Sequence, residues 1–223
     1  DVDGEGAARV AEEIAASGGR ASGHTCDIAS SAAVERAVTA TMAAWGRLDV
    51  VAACAGIARH GTAPDFSEAD WDLVMDTNLK GLFFTAKHAI PALAAGGGGA
   101  MVTLSSVNAT NSARMIPAYA ASKGGIASMT RTLALDHAAE GIRVNCVLPG
   151  SVDTNLLRGA ARRRSPDDPQ AAIDEWGRRH PLGRVLTAEE VGHAIVFLLS
   201  DEASGITGAM LNVDGGLTAQ LAL

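Results

Sequence analysis

Tyr119 is the one tyrosine in the chain; Lys123 follows four residues later, and Ser105 and Ser106 stand a dozen or so residues before it. A free phenol titrates near pH 10, so it exchanges protons poorly at neutral pH unless a cation stabilises the phenolate. On a helix, side chains four apart share one face at a separation of about 6 Å. The Lys123 ammonium is thereby placed to bring Tyr119 toward the range of a general acid-base. A serine hydroxyl delivered from the end of a preceding strand would then hydrogen-bond a substrate oxygen as its charge changes. Serine, tyrosine and lysine together describe proton transfer at an alcohol or a carbonyl. A Y-x-x-x-K pair also arises in helices as a solvated surface pair, so the rest of the chain has to decide.

The chain as a whole narrows the field. At 223 residues, 48% hydrophobic and 19% charged, it can bury a sizeable core and matches one α/β domain over residues 1–223. A net charge of -7 argues against a nucleic-acid or anionic-membrane partner, either of which needs a basic excess, and leaves a small molecule. No run approaches 18 apolar residues, and the opening DVDGEGAARVAEEI lacks the basic and apolar regions of a secretion signal, which predicts a soluble cytoplasmic protein. Cys26, Cys54 and Cys146 are odd in number, far apart and set in apolar runs, so they read as buried reduced thiols. The six histidines are scattered, and no metal is assigned.

Short apolar runs alternate with amphipathic stretches, the pattern of βαβ units. Strands are predicted at Ala21–Asp27, Leu48–Cys54, Ala100–Ser105, Arg143–Leu148 and Met210–Val213, each apolar enough to be buried on both faces of a parallel sheet. Helices are predicted over Ser30–Trp45, Ser67–Leu93, Pro117–Glu140 and Ala188–Ser200, the last opened by a capping box of Thr187 and Glu190. Residues 155–181, rich in Arg, Asp and Pro, read as a mobile insertion. Neither glycine cluster looks fit to cradle a phosphate: GEGAAR at Gly4–Arg9 and the run Gly96–Gly99 both read as plain turns. There is no G-x-S-x-G elbow of a serine hydrolase.

Motifs in a fixed order then bear on Tyr119. CDI at Cys26–Ile28, CAG at Cys54–Gly56, NLKG at Asn78–Gly81, the serine pair, YAASK, RVNCVLPGSVDT and NVDGG together resemble the short-chain dehydrogenase/reductase family over essentially the whole chain. The resemblance implies a doubly wound parallel sheet of Rossmann type and NAD(P)-dependent alcohol–ketone chemistry. It implies that Tyr119 is the acid-base, that Lys123 tunes it and binds the nicotinamide ribose, and that Ser106, thirteen before the tyrosine, is the catalytic serine. Asn78 matches the asparagine that holds a water in the proton relay. On the cofactor side Asp27 and Ile28 match the adenine contact, Ala55 and Gly56 the adenine-ribose pocket. Pro149 and Gly150 lead into Val152 and Thr154 at the carboxamide. Asn108, Met115, Ile116 and Ser151 are expected to shape the substrate pocket around Ser106 and Tyr119.

Two departures carry expectations of their own. Ala53-Cys54-Ala55-Gly56 stands where the family has N-N-A-G, which predicts a small stability cost. The family's T-G-x-x-x-G-x-G turn is nowhere in the 223 residues. The first strand and glycine turn are therefore expected to lie upstream, or this form is expected not to bind NAD. Asp1, with Asp3 as a lesser choice, matches the residue that meets the adenosine ribose, where a carboxylate favours NAD over NADP. Small residues along Pro117–Glu140 and the family pattern imply a homotetramer. At this stage a catalytically silent nucleotide-binding scaffold or regulator, and a different Rossmann enzyme such as a methyltransferase, stay open beside the dehydrogenase.

Overall fold

The computed structural model describes residues 1–220. In chain order its elements are α1 (Gly4–Ala16), α2 (Ser31–Trp45), β1 (Val50–Ala53), α3 (Glu68–Met75), α4 (Gly81–Ala95), β2 (Gly99–Leu104), α5 (Pro117–His137), β3 (Ile142–Pro149), α6 (Asn155–Arg164), α7 (Pro169–Arg178), α8 (Ala188–Leu199) and β4 (Met210–Val213). The four strands pair in parallel in the order β1-β2-β3-β4.

Strand periodicity explains why the sheet needs helices on both faces. Met101 of β2 and Val144, Cys146 and Leu148 of β3 point into one core with Leu82, Ala86 and Ile90 of α4 and Ile126 of α5. Their neighbours Val102 and Val147 point the other way, into a second core with Val191 and Leu198 of α8. A strand that is apolar on both faces has no solvent side. The C-terminal end of α8 is closed by Arg143, whose guanidinium donates to the carbonyls of Leu198 at 2.8 Å and Ser200 at 2.9 Å. A cation there offsets the negative end of the helix dipole.

Several expectations change. Residues 21–27 form no strand; their backbone bonds Asp1, through Cys26 N–H to the Asp1 carbonyl at 2.8 Å and the Asp1 amine to the His24 carbonyl at 3.1 Å, and Ser30, whose N–H donates to the Asp27 carbonyl at 3.0 Å. A strand exists only where a neighbour supplies a ladder, and no described strand lies beside this one. GEGAAR is not a turn but the start of α1, because the Asp3 carboxylate accepts the Gly6 N–H at 2.9 Å as an N-cap. Gly96–Gly99 does turn, with Gly97 and Gly98 at φ of 92° and 111°. The single helix expected over Ser67–Leu93 is α3 and α4 joined by one π turn at Asp76–Lys80.

Residues 155–181 hold two helices rather than an irregular segment. Thr154 and Asp168 cap them, and Ala161, Ala172 and Ile173 pack between them with Leu157 and Trp176. Their charges lie outside and pair, as Arg164 does with Glu175 at 2.8 Å, so charge density in the sequence hid two amphipathic helices. Of the three cysteines only Cys146 is buried; Cys26 is half-buried and Cys54, just beyond β1, is exposed.

Candidate active site

Pro117 opens α5, where its fixed φ suits a first helical turn and its missing N–H costs nothing. Tyr119 and Lys123 follow on one face. Lys123 is buried, 3% exposed, and its Nζ donates to the carbonyl of Leu104, the last residue of β2, at 2.7 Å. In return Ser105 Oγ donates to the Lys123 carbonyl at 2.7 Å. These two bonds fix α5 against the end of the strand that delivers the serines.

Lys123 Nζ lies 5.5 Å from the centroid of the Tyr119 ring. Burial pushes the ammonium down from its usual 10.5 to about 8, with Cys146 foremost among the groups pulling it back. Tyr119 moves opposite to the sequence expectation: burial pushes the phenol above its usual value, while the Ser106 hydroxyl draws it down. Desolvation disfavours the charged form of each group, and at Tyr119 it outweighs the hydrogen bond from Ser106.

Ser106 is held by an unexpected partner. Asn108, expected in the pocket wall, donates both its backbone N–H and its side-chain amide to Ser106 Oγ, each at 3.1 Å. Its own Oδ1 accepts the Ala113 N–H at 2.8 Å, which fixes the orientation of the amide. Asn78 sits within the π turn, 1% exposed. It accepts the Ile57 N–H at 2.8 Å and donates to the Ile57 carbonyl at 2.9 Å and to Ser122 Oγ at 3.0 Å. A tie to the loop after β1 therefore exists despite the absent N-N-A-G amide, made from the helix side.

Gly56 closes the cluster. A Cβ there would stand 3.3 Å from Asn78 Oδ1 and 3.4 Å from Lys123 Nζ. The glycine thus keeps a cradle beside a buried ammonium that has three N–H donors and gives one to Leu104. Such a cradle fits the hydroxyls of a nicotinamide ribose. Met115 is exposed at φ 64°, and its carbonyl accepts the Gly61 N–H at 2.9 Å, joining the loop before α5 to the loop after β1; the next residue, Ile116, is buried.

The remaining residues expected at the cofactor form two further groups. Asp1 bonds the backbone of His24 and Cys26 and its Oδ1 accepts the Asp3 N–H at 2.9 Å, while Asp27 Oδ1 accepts the Ala29 N–H at 2.9 Å. Asp3 is taken up by its capping bond. Ile28 packs on Gly81 at the start of α4, where a Cβ would lie 2.7 Å from Ile28 Cδ1. At the end of β3, Gly150 N–H bonds the Val213 carbonyl at 3.0 Å, and Val152 bridges Leu186. The Thr154 hydroxyl accepts the Leu157 N–H at 3.4 Å as the N-cap of α6 and donates to the Val152 carbonyl at 3.3 Å.

A family model described as enoyl-(acyl carrier protein) reductase matches residues 1–218. The chain is similar to cis-4-hydroxycyclohexanecarboxylate dehydrogenase of Sinomonas cyclohexanicum, 40% identical over 96% of this chain and 84% of that protein. Among solved structures it is similar to the ligand-free aldohexose dehydrogenase of Thermoplasma acidophilum, with a TM-score of 0.89, 32% identity and coverage of 96% and 90%. Levodione reductase gives a TM-score of 0.93 at 29% identity over 99% and 86%. The chain belongs to the short-chain dehydrogenase/reductase family. As a short-chain dehydrogenase it has the Rossmann-like parallel sheet of that family and catalyses NAD(P)-dependent oxidoreduction of alcohols and ketones. No described helix is long and apolar enough to cross a membrane.

Two residues that sequence reasoning missed in this short-chain dehydrogenase are Asn108, as the holder of Ser106, and His180. Asn108 lies two residues after the serine, a spacing that suits a local side-chain turn. His180 carries no such local signal, since its partner Ser151 is 29 residues away.

Proposed function

We propose that this chain interconverts a secondary alcohol and its ketone with Tyr119 as the proton-transfer group, Ser106 as the hydrogen-bonding partner of the substrate oxygen, and Lys123 and Asn78 as the groups behind them. The observation that carries the reading is the buried Lys123 ammonium between Tyr119 and the Gly56 cradle. Bound NAD(P) supplies the site that takes or gives the hydride. In the oxidation direction Tyr119 Oη takes the alcohol proton, and Ser106 O–H stabilises the oxygen as its charge changes. Lys123 holds ribose hydroxyls with the donors that Leu104 leaves free, and Asn78 keeps the loop after β1 in register with α5. Ala55 lines the adenine-ribose pocket, Gly56 beside it runs on from that pocket to the Lys123 cradle, Asp27 takes the adenine amine, and Pro149, Gly150, Val152 and Thr154 face the nicotinamide end.

The finer assignments follow the same line. Asp1 favours NAD over NADP, since a carboxylate accepts from ribose hydroxyls and repels a 2′-phosphate. The chain acts in the cytoplasm as a single domain. It assembles as a homotetramer through the helices of residues 67–93, through α5 and through the C-terminal strand region; Met75, Leu79, Phe83, Gly125 and Met129 line an open apolar groove between those helices, Phe83 being half exposed. Absorbance of reduced nicotinamide, followed on mixing the protein with NAD or NADP and a panel of secondary alcohols that includes ring alcohols bearing a carboxylate, tests the reading. Turnover with a higher kcat/KM for NAD is expected. Cofactor binding without turnover of any alcohol or ketone would leave a scaffold instead, and a monomeric mass by light scattering at micromolar concentration would refute the tetramer.

A further inference from the structure

His180 stands just beyond α7, 2% exposed, with both ring nitrogens bonded. Its Nε2 faces the Ser151 N–H at 3.1 Å and its Nδ1 faces the Trp176 carbonyl at 2.9 Å. A backbone N–H can only donate and a carbonyl can only accept, so one species satisfies both: the neutral ring with its proton on Nδ1. The Ser151 carbonyl is held as well, accepting the Leu186 N–H at 2.8 Å, and the next bond in the bridge runs from Asp153 N–H to the Leu186 carbonyl at 2.8 Å. Both backbone groups of Ser151 are therefore tied to residues 180–186. Gly150 permits the close approach, because a Cβ there would come 2.8 Å from His180 Nε2 and 3.1 Å from the Asp214 Cα.

This arrangement joins two parts of the site. Residues 150–154 run from the end of β3 into Thr154, which caps α6. The chain then passes through α6 and α7, packed on each other, and returns to the same loop at His180. The helical pair thus has both of its ends on residues 150–154, one covalent and one through the His180 ring.

We propose that His180 is a positioning residue that clasps the α6–α7 pair to the loop at Gly150–Thr154 and so sets the shape of that loop for the nicotinamide end of the cofactor; this rests on the functional reading above. The ring touches neither substrate nor cofactor. It acts through the direction of the Ser151 peptide, and losing its acceptor frees a part-buried N–H that must turn to find another partner.

Two measurements on the full-length protein test it. Long-range proton–nitrogen correlation spectra of histidine-labelled protein without cofactor are expected to show a pyrrole-type Nδ1 and a pyridine-type Nε2 for His180; the opposite pattern overturns the proposal. Binding of NAD is then compared in His180→Gln, which keeps an acceptor at the ε position, and His180→Leu, which fills the space without one. The leucine variant is expected to bind NAD about tenfold more weakly, the size of one lost hydrogen bond, with glutamine restoring most of the loss. A folded leucine variant with unchanged affinity, or glutamine no better than leucine, overturns the proposal. Should the leucine variant fail to fold, glutamine against His180→Asn, whose shorter amide cannot reach Ser151, decides the same question. Wild-type protein that bound no NAD would instead overturn the functional reading.

Discussion

Asn108 gives two donors, its backbone N–H and its side-chain amide, to one acceptor atom, Ser106 Oγ, at 3.1 Å each. A hydroxyl oxygen has two acceptor positions and one proton. With both positions filled, the Ser106 proton can only be directed outward, toward a substrate oxygen or the Tyr119 phenol, whose titration Ser106 already influences. The serine is in this way made a donor.

Asn108→Ala removes one of those two donors and unlocks the turn that Ala113 closes through Asn108 Oδ1. A hydrogen bond of this kind is worth about 1–1.5 kcal/mol. A fall in kcat of about tenfold is expected, with the KM for NAD unchanged, measured by steady-state kinetics. An unaltered kcat would show that Ser106 orients without help.

Tyr119→Phe keeps the ring and its packing but deletes the only atom proposed to carry the proton. A positioned acid-base contributes about 10²–10⁴-fold, so turnover should fall by that factor while NAD titrations stay near wild type. Lys123→Ala should weaken both readouts, because the ammonium is proposed to serve the cofactor and the phenol together. A phenylalanine variant retaining a tenth of the wild-type rate would remove Tyr119 from its role.

The buried ammonium also makes stability depend on pH. Lys123 titrates at about 8 when folded against 10.5 in its usual state. Between those values the unfolded chain binds the extra proton, so stability rises with pH. At pH 8 nearly the whole cost of the buried charge is still present, and at pH 9 a part of it has been relieved, the rest fading only toward the usual value of 10.5. The gain over that unit is about 1 kcal/mol, or about 2–4 °C in Tm. At higher pH the Cys54 and Cys146 thiols and then the Tyr119 phenol act in the opposite sense, because burial holds them above their usual values and the unfolded chain loses those protons first. Thermal melts at pH 8 and 9 should show the rise in wild type and its absence in Lys123→Met.

Arg143→Met tests the fold away from the site. The guanidinium bonds four carbonyls where α8 ends, those of Leu198, Leu199, Ser200 and Ile206. Methionine preserves the apolar stem and strands those acceptors. A loss of about 2 kcal/mol is expected, lowering Tm by about 4–8 °C, with kcat at saturating substrate unchanged. A melt within a degree of wild type would mean that water replaces the arginine at no cost.

The legible parts of the sequence were those whose partners are local or periodic. Tyr119 and Lys123 share a helix face by spacing alone, and β2 and β3 announce themselves by short runs that are mostly apolar. The Thr187 and Glu190 capping box forms as its spacing implies, Glu190 N–H to Thr187 Oγ1 at 3.3 Å and Thr187 N–H to Glu190 Oε2 at 2.9 Å. What escaped depends on distant or unpatterned partners. His180 bonds a backbone group, and backbone groups carry no letter. Residues 21–27 have strand composition without a neighbour, while α6 and α7 carry so much charge that their narrow apolar stripes disappear in an average. The direction of the Tyr119 shift was misjudged because spacing reveals a nearby cation but says nothing about desolvation.

The π turn at Asp76–Lys80 has a consequence for how the chain tolerates changes in length. One residue more than an α-helix would hold amounts to about 100° of rotation about the axis, and that rotation lets Asn78 meet Ile57 while Leu82, Ala86 and Ile90 still meet the sheet. Removing a residue inside a helix ordinarily scrambles every contact beyond the cut. Here a single deletion within residues 76–80 can be absorbed by closing the wide turn into a regular one, leaving α4 in place and its backbone bonds improved. The shortened chain would fold, and the loop after β1 would lose its anchor. The surplus residue is thus a place where length can be edited without breaking the scaffold, and where the edit is felt only by the chemistry.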